Sequence, residues 1–360
     1  MLKDYLIKQQ YSPVNDLETV EMIKASDAPL VLWGAGEVAE KVYKILVNNK
    51  IDLSAVWVDG DNGNYFHGII TRNLDDIISQ YKKFNVIVGH NRYDKINKLK
   101  DEFCQIENVF YFYNSFGWEE GFDQEYFSLY EDEFQNAFEL AQDDLSAEAY
   151  SQYINSRIWK NPCYVTSKCV VDGYFNNDVL SVTESEALLE IGAYNGNIIR
   201  IFNKETNGRY SKIIAFEPDE SNFATLEYNI KDLHDIELHK IGCWNKKAEL
   251  SFCVDGTGKS NHIDESGQSK ISIPVDAVDN IIGDRTVTFI NIFYQTGIME
   301  MLEGARKTIV RDKPKLIVGI GLRKEHAFMI PQYIKKLNPE YRLFYRFYGG
   351  VPSRFYLIAT

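Results

Sequence analysis

The stretch Leu188-Leu189-Glu190-Ile191-Gly192-Ala193-Tyr194-Asn195-Gly196 limits the fold more tightly than any other. Its apolar half reads as a buried strand, an acid ends the strand, and two glycines turn the chain. Ile198 to Phe202 follows with a helix-like pattern. A second apolar run, Ile213-Ile214-Ala215-Phe216, ends in Glu217, and Pro218 blocks its extension. Strand, glycine turn, helix and strand make a βαβ unit with a nucleotide-sized crevice at its carboxyl edge. Gly192 and Gly196 let backbone approach a ligand where a Cβ would collide. Glu217, an acceptor-only group, suits two ribose hydroxyls.

The spacing is Glu-x-Gly-x-x-x-Gly. A dinucleotide site would show Gly-x-Gly-x-x-Gly, with amides on a pyrophosphate. The wider spacing, with an acid before the first glycine, suits a phosphate-free, positively charged ligand, and S-adenosylmethionine (SAM) is one. The bland alternative is a glycine turn that binds nothing. The second acid, Glu217, favours SAM, with Glu190 ending the strand beneath.

A second glycine turn lies upstream. Pro29 to Trp33 reads as a buried strand, followed by Gly34-Ala35-Gly36-Glu37-Val38-Ala39. Val38, Val42 and Ile45-Leu46 recur at helical spacing, and Ala55 to Val58 forms a further strand ending in Asp59. This is Gly-x-Gly-x-x-Ala with an acid at the ribose position of a dinucleotide site. Strands at Val86 to Gly89 and Val109 to Tyr111 complete a small α/β unit. The preferred reading makes Gly34 and Gly36 a tight turn. The alternative is a second nucleotide-like site at Gly34, Gly36 and Asp59, its ligand unknown.

Glu125 to Ile158 turns helical, with Phe134, Phe138, Ala141 and Leu145 on one face and neither glycine nor proline. The domains expected are therefore 1–118, Rossmann-like; 119–162, a helical connector; and 163–360, a second α/β domain. The chain has 360 residues, 45% of them hydrophobic, enough for two cores. Its formal net charge of -13 disfavours a phosphate backbone, so nucleic acid is not an expected partner. Of the five cysteines, Cys104, Cys163, Cys169, Cys243 and Cys253, none fits a zinc spacing; Cys243 and Cys253, in apolar runs, read as buried thiols. No apolar run has signal-peptide or membrane-helix length, which reads as cytoplasmic, with no membrane partner.

In the second domain Ile236 to His239 reads as a third strand, and Glu249 to Val254 and Ser269 to Val275 as an antiparallel pair. Val287 to Tyr294 reads as a fourth core strand, Met299 to Val310 as a helix and Leu316 to Ile320 as a fifth strand. Tyr341 to Tyr348 and Phe355 to Ala359 make a terminal hairpin. Seven strands in this order give the layout of a class I methyltransferase.

At these residues the chain resembles the FkbM family of SAM-dependent methyltransferases, in the longer form with an N-terminal Rossmann-like domain. Glu190 to Gly196 resembles its first motif. Ala215-Phe216-Glu217-Pro218-Asp219 resembles its ribose-binding strand end, followed by Asn222-Phe223 and Leu226. Thr288-Phe289-Ile290, Leu302-x-Gly304-Ala305, Lys313-Pro314-Lys315-Leu316, Ile330-Pro331 and Tyr341 are further matches. The resemblance implies SAM as cofactor, O-methylation of a hydroxyl on a sugar or secondary metabolite, and Glu190, Gly192, Tyr194, Gly196, Glu217 and Ser260 at the cofactor.

The departures cluster. Where the family has Phe-Ile-Lys-x-Asp-x-Glu-Gly-x-Glu, this chain has Phe289-Ile290-Asn291-Ile292-Phe293-Tyr294-Gln295-Thr296-Gly297-Ile298. Its Tyr-His aligns with Gly321-Leu322, its Arg-His-Tyr with Arg346-Phe347-Tyr348, and its closing acid with Arg354. These are groups that would bind a metal, take a proton or orient a hydroxyl, so no metal site is expected and the catalytic residues are unknown. Asp276, which equally reads as a helix N-cap, and Glu300 remain as weak catalytic candidates. His326 reads as an exposed helix histidine, His239 as structural, and His262 lies in a polar loop.

Two functions stay open: a divergent O-methyltransferase acting on a small-molecule acceptor, or a non-catalytic module that binds SAM or a nucleotide. A weaker third is a nicotinamide enzyme through Gly34, Gly36 and Asp59. Whether the chain is an enzyme, and whether it forms a homo-oligomer, is not fixed by the sequence.

Overall fold

The computed structural model describes residues 1–6, 16–60, 62–90, 96, 99–112, 122–253, 262–263, 271–294, 296–349 and 352–360. These fall into two units. The first comprises Met1–Glu131, Glu148–Val170 and Phe347–Arg354; the second comprises Asp132–Ala147, Val171–Arg346 and Phe355–Thr360.

In the first unit the elements run α1 (Asp16–Lys24), β1 (Leu30–Trp33), α2 (Glu37–Asn48), β2 (Ala55–Trp57), β3 (Tyr65–Phe66), β4 (Ile69–Arg72), α3 (Leu74–Gln80), β5 (Phe84–Val88), α4 (Leu99–Glu102) and β6 (Ile106–Phe110). The strands form a sheet of order β3-β4-β2-β1-β5-β6, parallel at β2-β1-β5. Strands buried on both faces need unbroken apolar runs, and β1 is Leu-Val-Leu-Trp with every residue buried. Alternation splits it: Val31 and Trp33 join one core with Trp57 and Val86, while Leu30 and Leu32 join another with Val56 and Ile87. Ala39, Val42 and Leu46, one face of α2 at helical spacing, cover that second core. The hairpin β3-β4 was not foreseen; its short strands give periodicity little to act on.

Three helices follow, α5 (Gln124–Leu129), α6 (Glu131–Glu139) and α7 (Asp144–Ile158). Both units draw on this stretch: α5 and residues 148–158 of α7 group with the first, and residues 132–147 with the second.

The second unit continues with β7 (Val170–Val171), β8 (Ala187–Ile191), α8 (Asn197–Glu205), β9 (Lys212–Phe216), α9 (Glu220–Ile230), β10 (Ile236–His239), β11 (Gly242–Trp244), β12 (Ala248–Cys253), β13 (His262–Ile263), β14 (Ile271–Ala277), α10 (Val278–Ile282), β15 (Phe289–Ile292), α11 (Ile298–Gly304), α12 (Arg306–Asp312), β16 (Lys315–Gly319), α13 (His326–Leu337), β17 (Leu343–Tyr348) and β18 (Phe355–Ala359). The main sheet has the order β10-β9-β8-β15-β16-β18-β17-β7. Counted from β8, that is third, second, first, fourth, fifth, seventh and sixth, with β7 at the edge. β18 runs antiparallel to β16 inside an otherwise parallel core. The chain reverses direction at β8: β9 lies on one side of it and β15 on the other. Such a switch point opens a crevice at the strand carboxyl ends.

Several expectations need correction. The antiparallel pair β12-β14 exists, but within a separate sheet of order β11-β14-β12-β13, and β11 was missed. The helix expected over Met299 to Val310 is two helices. A Cβ on Gly304 would overlap the carbonyl of Trp244, so the chain stays close to β11 there and bends at Ala305. The fourth core strand ends at Ile292, leaving Phe293 and Tyr294 beyond it. Cys243 is buried, but Cys253 is only partly so. Among the described residues no helix is long and apolar enough to cross a membrane.

Candidate functional site

The turn after β8 is tied to the end of β9. The amides of Gly192 and Ala193 both donate to the Phe216 carbonyl, at 3.0 and 2.9 Å. Gly192 has φ +81 and Tyr194, without a glycine's freedom, has φ +49. The strained Tyr194 turns its amide onto Glu217 Oε2 at 2.8 Å, while Asp219 donates its amide to Oε1 at 3.0 Å. Asn222 Nδ2 reaches the same oxygen at 3.5 Å. The Glu217 carboxyl is thus fixed at the tip of β9, only 3% exposed. Burial pushes its pKa up, against the pull of those amides.

Tyr294, one residue past Phe293, covers this turn. A Cβ built on Gly192 would lie 2.9 Å from Tyr294 Cδ2. The phenol belongs to a cluster with Phe252, Ile273 and Val275. Burial raises its pKa strongly, and the charges of Glu217 and Asp219 raise it further. Below the ring a cavity of about 10 Å³ is lined by Gly192, Phe216, Gly242, Cys243, Val275 and Met301, among others, room for about one water. Gly192 and Glu217 are therefore brought together at the crevice, with Tyr194 as a backbone donor rather than a side-chain contact.

Glu190, near the end of β8, and Gly196, at the start of α8, each have structural partners of their own. Glu190 is 2% exposed, and both its oxygens accept from Asn291 Nδ2, at 2.8 and 3.0 Å. Asn291 Oδ1 accepts from the Tyr174 hydroxyl at 2.9 Å. Glu190 is thus a buried member of the sheet, on β8 beside Asn291 of β15, and burial lifts its pKa well above the usual value. Gly196 opens α8 with φ +83, and a Cβ there would stand 2.9 Å from Ile230 Cγ2. Packing against α9 therefore requires glycine at this position. Ser260 and Gln295 lie outside the described residues.

Of the positions that differ from the resembled pattern, Phe293 and Phe347 are taken up by packing. A Cβ on Gly319 would overlap the Phe293 ring, which also meets Tyr356 at 5.3 Å between centroids. Phe347 is fully buried, Leu322 is half-buried and Arg354 is exposed. Arg346 is 1% exposed and ties to Asp143 and Asp178 at 2.8 and 2.6 Å.

Asp276 lies in β14, just before Ala277, the N-cap of α10. It accepts from the Ala277 amide at 2.7 Å and Asn280 Nδ2 at 2.8 Å, so it fastens the start of that helix. Glu300 is half-buried in the first turn of α11. His239 bonds Glu237 at 2.7 Å and stacks on Phe216, and His262 falls in β13. The expectation for His326 was wrong: it is 5% exposed, its Nδ1 has no hydrogen-bond partner, and burial lowers its pKa to about 4. Periodicity cannot tell which face of a helix start meets protein. Among the described residues no group of three or more His, Cys, Asp or Glu could hold a metal.

In the first unit Gly34, Gly36 and Asp59 line one cleft of about 480 Å³ at the carboxyl edge of the sheet, with Trp33, Glu37, Val58, Gly89 and His90.

The strand order, the turn after β8 and the acid after β9 define a class of fold, the Rossmann-like class I methyltransferase fold, here preceded by a second α/β unit. Among solved structures, methyltransferase FkbM from Methylobacillus flagellatus KT is similar over 97% of this chain and 94% of its own, with a TM-score of 0.65 and 20% identity. The chain shares that protein's fold. Two others are similar over about half of this chain. An rRNA methylase from Streptococcus thermophilus covers 49% of this chain and 87% of its own (TM-score 0.33, 12% identity). Aeropyrum pernix fibrillarin, solved with natively bound S-adenosyl-L-methionine, covers 51% and 70% (TM-score 0.32, 10% identity). No protein-family model matches the chain, and no curated protein does.

Proposed function

We propose that the second unit binds SAM between the turn after β8 and the tip of β9, and that methyl transfer to a hydroxyl of a sugar or secondary metabolite is absent or very slow. The observation that carries the cofactor reading is the Glu217 carboxyl, fixed by the Tyr194 and Asp219 amides beside Gly192. Glu217 retains lone pairs for a ribose diol, and Ile241, Cys243, Ile273 and Val275 offer an apolar wall for a planar base. These residues fit the cofactor once the Tyr294 ring turns aside. SAM, when bound, supplies an electrophilic methyl on a sulfonium.

Transfer to oxygen needs a base within reach of the hydroxyl proton. Phe293 is locked against Gly319, and Asn291 is consumed by Glu190 and Tyr174; neither can take a proton. Asp276 is engaged at α10. This supports the non-catalytic alternative, a SAM-binding module. The test is a methyl-transfer assay with labelled SAM and a panel of sugar and polyketide hydroxyls. Rates far below the usual range of about 1–10³ s⁻¹ are expected. Turnover within that range, abolished by Asp276→Asn or Glu300→Gln, would show a rebuilt centre and overturn the proposal.

A further inference from the structure

The cleft of the first unit contains one glycine that its own fold explains and one that it does not. Gly34 has φ +114, and a Cβ there would stand 2.8 Å from the Gly89 carbonyl oxygen. Its amide donates to Trp57 O at 2.7 Å, and Gly89 donates to Trp33 O at 2.8 Å. Gly34 is thus needed to bring the ends of β1, β2 and β5 together. Gly36, the N-cap of α2, has φ -96, which any residue adopts. A Cβ on it would meet nothing within 4 Å. Neither backbone nor packing requires glycine there, and the space a side chain would fill belongs to the cleft.

The same cleft is lined by Trp33, Asp59 and His90. Trp33, 3% exposed, stacks on Trp57 at 4.3 Å and meets the His90 ring edge-on at 4.1 Å. Held on both sides, its indole Nε1 donates to Asp59 Oδ1 at 3.2 Å. Asp59 follows β2 by two residues, and its second oxygen has no partner among the described residues. The bond satisfies the buried indole N–H and at the same time sets the orientation of the exposed Asp59 carboxylate.

The cleft sits where the sheet reverses, between β1 and β5, with β2 on the far side. Its volume, about 480 Å³, lies in the range of small-molecule sites, roughly 300–1,000 Å³. A carboxylate fixed by one oxygen and open at the other suits a vicinal diol and repels a phosphate ester at that position. The first amides of a helix lack intrahelical partners, Gly36 leaves them approachable, and the Glu37 carboxylate beside them is offset by Lys41 at 3.8 Å.

We propose that this cleft binds a ribonucleotide with an unsubstituted 2′,3′-diol, the ribose on Asp59 and the phosphate over Gly36 at the start of α2. A dinucleotide and a nucleotide sugar share this chemistry. The site lies wholly in the first unit and is independent of the SAM reading.

The test is calorimetry on the full chain with NAD and with UDP-glucose. At least one is expected to bind below about 1 mM, and which one does identifies the source. Its 2′-deoxy form, lacking a bond to a charged acceptor, is expected to bind about tenfold or more weakly. Asp59→Ala is expected to weaken binding about as much. Gly36→Val is expected to abolish binding while the melting temperature stays within a few degrees, since that Cβ has open space. Glu217→Ala, in the other unit, is expected to change nothing. Absence of binding by both ligands, equal affinity for the 2′-deoxy form, or binding that survives Asp59→Ala and Gly36→Val would overturn the proposal.

Discussion

Tyr294 lies against Gly192, so close that a Cβ on the glycine would stand 2.9 Å from the ring. The first residue of the glycine turn and the second residue past β15 therefore pack with no room for a β-carbon between them. Gly192→Ala is expected to displace the ring and cost about 1–3 kcal/mol, from overpacking and from φ +81 together. Urea unfolding checks this. A double variant with Tyr294→Ala is expected to recover the packing part of the loss and keep the backbone part.

Glu190→Gln is expected to stabilise the protein increasingly as pH rises. Burial raises the Glu190 pKa in the folded state, so the folded chain holds its proton longer than the unfolded one. Stability from this group is full below the unfolded value, 4.5, and is lost as pH rises toward the folded value. Glutamine mimics the protonated acid without that loss. Denaturation midpoints from pH 5 to 8 should diverge, the variant above the wild type; parallel curves would contradict the assignment.

His326 gives the opposite slope. Its pKa falls from 6.5 to about 4 through burial, with Arg323 lowering it further and Glu325 opposing. The unfolded chain takes up the proton first, so this contribution is intact above pH 6.5 and fades as pH falls toward about 4, by roughly 1.4 kcal/mol per unit at most. His326→Phe should flatten the acid limb of the stability profile relative to wild type, read by urea midpoints at pH 4.5 and 7.

Gly304→Ala and Gly36→Ala make a contrasting pair. The first drives a Cβ into the Trp244 carbonyl; the second meets open space. Gly304→Ala is expected to cost about 4 kcal/mol or more, or to prevent folding. Gly36→Ala should stay within about 1 kcal/mol. Thermal melts of the two proteins compare them directly.

The strand order could be read from the sequence because buried strands show as apolar runs whatever surrounds them: Leu188 to Ile191, Ile213 to Phe216, Leu316 to Gly319. What escaped depends on contacts distant in sequence. The break at Ala305 comes from Trp244, some sixty positions upstream. Gly196 has the spacing of a ligand glycine but faces Ile230. Glu190 and Asn291 are partners because β8 and β15 lie side by side, so the asparagine that looked like a lost lysine has a neighbour of its own. Tyr294, one of 23 tyrosines, reads in the sequence only as the end of a strand. Its position two residues after a strand at the switch point was the signal that could have singled it out.

Cofactor binding to the second unit is the property on which the roles of Glu217 and Tyr294 depend. Calorimetric titration of S-adenosylhomocysteine into the wild type, Tyr294→Ala and Glu217→Ala tests it most directly. The prediction is binding that tightens about tenfold in Tyr294→Ala, where the ring no longer occupies the crevice, and weakens about tenfold in Glu217→Ala, where the ribose loses its acceptor. No measurable binding by wild type or Tyr294→Ala at about 1 mM, or an affinity that neither substitution changes, would contradict it.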